Sequence, residues 1–178
     1  MKKILLIIAI TLCIFQMVVL ATEITMGNPA IAAATIVGNG YTIVDKKTPA
    51  NGTGTITTVE LWSSASATTA IVATFSAAGN VLTSRDFEAV GAVVANFNSF
   101  EVTLDVVEGD YLGIYINSAQ PEATAEADTG LWYKQFDQTQ ESGVTFSLYA
   151  SSFISLKGTG TTEAPPAEVN AIFFGMNF

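Results

Sequence analysis

Between Ser99 and Val107 the chain reads SFEVTLDVV. Phe100, Val102, Leu104 and Val106 alternate there with Glu101, Thr103 and Asp105. A repeat of two sends successive side chains to opposite faces of an extended strand, so this stretch has one face for a core and one for water. A helix would need apolar residues three and four apart, and no convincing stretch after Thr22 carries that spacing. The chain is therefore read as a set of strands, paired antiparallel because that arrangement tolerates one wet face.

The same reading extends in both directions. Glu108-Gly109-Asp110 makes a turn into Tyr111–Asn117, where Leu112, Ile114 and Ile116 share one face and Tyr111, Gly113 and Tyr115 the other. The two segments read together as a hairpin whose aliphatic face packs inward. Further strands are expected at Ala32–Val37, Tyr41–Asp45, Gly54–Trp62, Ala70–Ser76, Val81–Phe87, Leu131–Phe136, Val144–Ala150 and Phe153–Lys157. Turns fall at Gly38-Asn39-Gly40, Pro49–Gly52, Ala78-Gly79-Asn80, Pro121–Gly130 and Glu141-Ser142-Gly143, all rich in residues that bend the backbone cheaply. About ten short strands at this spacing predict an all-β fold, a single antiparallel β-sandwich of jelly-roll-like form over residues 22–160.

The ends of the chain differ from this body. Met1-Lys2-Lys3 is followed by the uncharged run Ile4–Ala21, with Val19-Leu20-Ala21 at the spacing a signal peptidase reads. Residues 1–21 are expected to be a signal peptide cleaved after Ala21, with an uncleaved membrane anchor as the alternative. Leu12 before Cys13 does not suit a lipobox. Either form predicts an exported protein, extracellular or held at the cell surface. At the other end, the stretch from Gly158 to Ala167 turns to Gly, Thr and Pro. This stretch looks like a linker stiffened by Pro165-Pro166, with the linker proper placed at residues 161–169.

Beyond that linker, Asn170–Phe178 (NAIFFGMNF) places Ile172, Phe174, Met176 and Phe178 on one alternating face. So apolar a strand needs a partner. It could complete its own sandwich, add to a neighbouring copy, or close an outer-membrane barrel. Threonine-rich strands such as Gly54–Trp62 lack the lipid-facing band that a barrel repeats in every strand, which argues against the third.

Composition closes off several chemistries. Cys13 is the only cysteine and there is no histidine, so an exported chain starting at Thr22 has neither a thiol nor an imidazole. Ser–His–Asp and Cys–His catalysis, disulfides and zinc sites built on these residues are excluded with them. Loss of Lys2 and Lys3 with the leader leaves five basic residues against sixteen acidic ones, a net charge near −11. Such a surface repels nucleic acid and anionic lipid headgroups, and suits solubility outside the cell.

The stretch Glu108–Tyr115 (EGDYLGIY) resembles the penultimate strands of many jelly-roll and lectin-like sandwiches. A wider series is similar to small uncharacterised β-sandwich proteins, secreted or phage-associated, of bacterial and phage genomes. It comprises Gly40–Ile43, Pro49–Gly52, Thr55–Trp62, Gly109–Tyr115, Gly130–Tyr133 and Ile154–Gly160. The resemblance covers roughly residues 28–160 and rests on turn and core positions. It implies a fold and surface exposure, and it carries no catalytic residue.

Three constellations could carry chemistry. Trp62, Tyr111, Tyr115, Trp132, Tyr133 and Tyr149 could offer a stacking platform for sugar rings, or could simply fill the core. Trp132 and Tyr133, being adjacent, face opposite ways, and Gly113 leaves a gap between Tyr111 and Tyr115 for a ligand or a neighbouring side chain. Glu122, Glu126 and Asp128 in the acidic segment Pro121–Gly130 have the oxygen character calcium takes, although their spacing fits no standard loop. Glu101 with Asp105, or Glu108 with Asp110, could pair for glycoside hydrolysis, but an exposed strand face or turn gives neither an acid of raised pKa. Asn51-Gly52-Thr53 fits a glycosylation acceptor and is read as turn chemistry.

The expectation is a non-enzymatic exported surface or structural protein of a cell surface, extracellular filament or virion, self-assembling through its C-terminal strand. The alternative is a carbohydrate-binding, adhesive module using an aromatic face. No cofactor is expected apart from that calcium candidate; the expected partners are other copies of the chain or glycans.

Overall fold

The computed structural model describes residues 21–162, and these form one all-β body without helices. Twelve strands are present: β1 (Glu23–Gly27), β2 (Thr35–Ile36), β3 (Tyr41–Asp45), β4 (Gly54–Ser63), β5 (Ala67–Ala78), β6 (Val81–Val93), β7 (Asn96–Val106), β8 (Tyr111–Ile116), β9 (Glu122–Gln135), β10 (Val144–Thr145), β11 (Ser147–Ile154) and β12 (Leu156–Thr162). The smaller sheet has the order β1-β12-β4-β7. The larger has β10-β6-β5-β8-β3-β9-β11, with β2 also pairing on β9. All pairings of named strands are antiparallel.

Eight of the twelve strands have the order of a jelly roll. β1, β12, β4 and β7 lie in one sheet and β3, β8, β5 and β6 in the other, so the chain crosses between sheets at nearly every step and only β5 and β6 make a hairpin within one. That hairpin turns at Gly79-Asn80, one of the expected turns. The remaining strands β2, β9, β10 and β11 are additions that widen the larger sheet beyond β3 and beyond β6.

The alternating pattern predicts the interior well. Val102, Leu104 and Val106 on β7 are buried, and so are Leu112, Ile114 and Ile116 on β8, each aliphatic side chain contributing about 1.5–3 kcal/mol. Ile24, Met26, Ile43, Ile56, Leu61, Val72 and Leu156 join them in one core between the sheets. The expected hairpin of these two strands is an arch instead, because β7 and β8 belong to different sheets. Two strands that each bury one aliphatic face gain more by facing each other across a core than by pairing edge to edge. Asp110 holds the arch: its carboxylate accepts the Val107 amide at 2.9 Å, its own amide donates to the Val107 carbonyl at 2.9 Å, and its carbonyl receives the Ala50 amide at 2.8 Å.

Three other boundaries differ from expectation. Glu23–Gly27, where no strand was expected, is a strand. Pro121–Gly130 is not a loop, because β9 begins at Glu122 and its small residues let it pair closely, Ala123 opposite Ile154 and Thr124 opposite Phe153. The Gly/Thr stretch from Gly158 to Thr162 is not linker but most of β12, wedged between β1 and β4. Glycine is needed there: a Cβ at Gly160 would collide with the Thr55 carbonyl. Residues 1–20 of the expected signal peptide and the C-terminal Ile172, Phe174, Met176 and Phe178 lie outside the described residues.

Candidate functional site

The aromatic residues do not form one platform. Trp62 sits on β4 in the smaller sheet, half-buried and opposite Phe97, and is separated by the core from the tyrosines of β8. Trp132 is only 2 % exposed. It belongs to a second apolar cluster on the outer face of the larger sheet, with Val44, Ala73, Phe75, Leu82 and Phe146. Tyr111 packs edge-on against its indole at 4.9 Å between ring centres, and the indole N–H donates to Asn80 Oδ1 at 2.9 Å.

The cover for this cluster comes from the chain between β9 and β11. That segment reaches the far edge of the sheet, where β10 pairs with β6, and Phe146 turns inward to meet Phe75 edge-on at 6.1 Å. This inward turn is why the single expected strand Val144–Ala150 is split into β10 and β11. The face holding Tyr111 and Trp132 is thus packed by the protein itself, and Trp132 is corrected from candidate ligand contact to core residue. Tyr115, half-buried between Thr42 and Ile71, belongs to the same sheet face and makes no aromatic pair with either.

The other two rings named from the sequence have a different setting. Tyr133 on β9 and Tyr149 on β11, with Tyr41 on β3, line a groove of about 270 Å³ together with Val37, Gly38, Ile43 and Leu131. Tyr41 and Tyr133 meet edge-on at 6.0 Å. No charged side chain lines this groove, and the tyrosyl hydroxyls are its side-chain polar groups. Tyr149 is 48 % exposed and leaves the groove open on one side. The groove lies where the added strands β9 and β11 continue the sheet beyond β3, and there β9 and β11 bend together: their register shifts between Ala150 and Ser152, and Ser151 and Asp128 both take positive φ values (59° and 62°). Tyr41 was not singled out from the sequence. Its signal was the alternation Tyr41/Ile43 matched by Leu131/Tyr133, which puts both tyrosines on one face once β3 and β9 pair.

The groove adjoins a sheet edge unlike the others. β7, the edge of the smaller sheet, has its Thr103 and Asp105 amides held by the carboxylates of Glu88 and Asp86 on β6, each at 2.8 Å. The opposite edge strand β1 is covered by the loop after β3. There the Thr25 amide donates to Asn51 Oδ1 at 2.8 Å, and the Gly27 amide donates to the Thr48 carbonyl at 2.8 Å. Asn51, the nominal glycosylation acceptor, is therefore an edge cap. β10 is only two residues long. β11 has β9 as its one neighbour among the described residues; its last residues are buried, with Ile154 bonded to Asp45 and Asn28, but Ser147 to Ser151 are all exposed. Unpaired backbone on a strand of this length is the usual template for another strand.

The acidic candidates do not converge. Glu122 accepts the Ala33 amide at 2.6 Å, and Glu126 pairs with Lys47 at 2.7 Å. Asp128 sits exposed in the β9 bulge, and no group of three or more carboxylates among the described residues is arranged to hold a metal ion. In the proposed hydrolytic pairs, Glu101, Asp105 and Glu108 are exposed, whereas Asp110 is buried rather than exposed in its turn, and its carboxylate is occupied by a two-point ion pair with Arg85. Asp110 is thereby corrected to a structural residue: the arch needs its carboxylate at the Val107 amide.

A further carboxylate, Asp45, is buried where β3 ends. It accepts from Asn28 Nδ2 at 2.6 Å, from the Lys47 amide at 2.8 Å and from the Ile154 amide at 3.2 Å, so it ties three segments together. Burial raises its pKa above the ordinary carboxylate value, and those hydrogen bonds offset part of the rise. No family of known proteins matches the sequence, and neither does any curated protein.

Proposed function

We propose that this chain is a non-enzymatic, exported surface or structural protein that assembles with other copies by strand addition at β11. The observation that carries the reading is the asymmetry of the sheet edges. Carboxylates reaching from β6 close the β7 edge, a loop closes β1, β10 pairs with only Val81 and Leu82 of β6, and β11 is left with unpaired backbone at Ser147–Ser151 and the exposed side chains Leu148 and Tyr149. Proteins that stay monomeric place lysine, proline or a cover on such an edge; Ser147–Ala150 has none. The lack of histidine throughout, and of cysteine outside the leader, supports a role in presentation rather than catalysis.

The test is the solution mass of the full chain, purified as exported, beside its Leu148→Lys variant. Assembly at β11 predicts a multiple of the chain mass for the first and a monomer with unchanged circular dichroism for the second. A monomer in both, across the accessible concentrations, ends this reading. A second reading, a carbohydrate-binding adhesive module, is favoured by the three tyrosyl rings and uncharged lining of the groove. Retention on a polysaccharide column that is lost in Tyr149→Ala would put it first.

A further inference from the structure

We propose that the occupant of this edge is the segment Asn170–Phe178 of a second copy. It adds as a strand along β11 and turns Ile172, Phe174, Met176 and Phe178 towards the tyrosine groove. This inference rests on the assembly reading above and names the partner at that site.

Four observations converge on this occupant. The exposed part of β11 is Ser147–Ser151, and the nine-residue segment is long enough to run along all of it. Its apolar residues alternate with period two, so an added strand presents all four on one face of the sheet. The residue on β11 that looks into the groove is Tyr149, opposite Leu131 on β9, and both line it. A strand added about 4.8 Å beyond β11 sets its side chains against the open side of Tyr149, within reach of the groove mouth for Phe or Met. Finally, the side chains of NAIFFGMNF carry no charge, and neither do those lining the groove. In strand addition the main-chain bonds give affinity, and pockets for alternate side chains give specificity.

The connection suits a partner in another copy. β12 ends at Thr162, whose amide donates to the Thr22 carbonyl and whose hydroxyl accepts the Thr22 amide, both at 2.8 Å. The exit point is thus fixed in the smaller sheet, whereas β11 belongs to the larger. Glu163–Val169 then supplies seven residues, at most about 25 Å of extended chain.

Single-cysteine variants of the full chain, made with Cys13→Ser, test this. One population carries Tyr149→Cys, and the other carries Ile172→Cys, Phe174→Cys or Met176→Cys. Mixed and mildly oxidised, they are expected to give a disulfide-linked heterodimer for at least one donor position. Separately, Phe174→Asp in an otherwise intact chain, and a chain ending at Val169, are both expected to run as monomers. If the full chain is multimeric and the shortened chain keeps the same mass, assembly stands and this occupant is wrong. If a chain carrying both Tyr149→Cys and Phe174→Cys closes the disulfide within itself while the mixed single-cysteine chains form none, the segment pairs with its own sandwich and the inference is overturned. If Tyr149→Ala abolishes polysaccharide retention while the mass is unchanged, the groove holds a glycan and the inference is overturned again. A monomeric full chain ends both proposals together.

Discussion

Gly113 and Phe75 occupy one space on the outer face of the larger sheet. A Cβ added to Gly113 would lie 2.7 Å from Phe75 Cε2, and 2.8 Å from Val44 Cγ2 on the other side. The gap between Tyr111 and Tyr115 is therefore filled by the neighbouring strands β5 and β3, not left for a ligand. Phe75 in turn carries Phe146, the residue that pins the long β9–β11 connection across the sheet. Gly113→Ala forces Phe75 out of place and is expected to destabilise the fold by about 1–3 kcal/mol. Urea unfolding followed by tryptophan fluorescence reads this directly. Tyr115→Ala, on the same face but outside the cluster, is the control and is expected to cost less; equal losses would mean that Gly113 is not the tight point.

How much of this was legible in the sequence depended on whether a residue's setting is local. The alternation at Phe100–Val106 and Leu112–Ile116 gave the buried faces correctly, because period two is a property of one strand. It could not say that β7 and β8 belong to different sheets, since an arch and a hairpin both need a turn after an alternating strand. Gly158 and Gly160 read as linker because glycine signals freedom in isolation, yet in β12 it signals close approach to β4. Trp132 read as a ligand candidate because nothing near it in sequence shows Asn80 and Phe146 arriving to cover it. The tyrosine groove is spread over β3, β9 and β11, and only strand pairing brings Tyr41 to Tyr133.

Asp45 gives the fold a pH dependence of defined sign. Burial raises its pKa, so between the ordinary carboxylate value and the raised one the native state binds more proton than the unfolded chain. Stability contributed at this site is fully present below that window and declines as pH rises through it. Asp45→Asn removes the titration and sets an NH2 group against either the Lys47 amide or the Ile154 amide, each of which needs an acceptor, which lowers stability at every pH. The difference in unfolding free energy between wild type and Asp45→Asn is therefore expected to be largest in acid and to shrink towards neutrality. A difference that grows with pH would mean that the hydrogen bonds from Asn28, Lys47 and Ile154 outweigh burial.

The carboxylates of Asp86 and Glu88 are what separates the closed edge at β7 from the open one at β11. Each accepts a β7 amide that would otherwise face outward, Asp105 for Asp86 and Thr103 for Glu88. A hydrogen bond to a charged acceptor contributes about 1.5–3 kcal/mol. Asp86→Ala with Glu88→Ala is then expected to speed hydrogen exchange at the Thr103 and Asp105 amides by on the order of tenfold to a hundredfold. The Val102 and Leu104 side chains stay buried in the core, so β7 itself should remain in place. An uncapped β7 also becomes a second template for strand pairing, and the double variant is expected to associate even with Leu148→Lys blocking β11. Unchanged exchange at both amides would show that packing of β6 against β7, rather than the two carboxylates, keeps that edge closed.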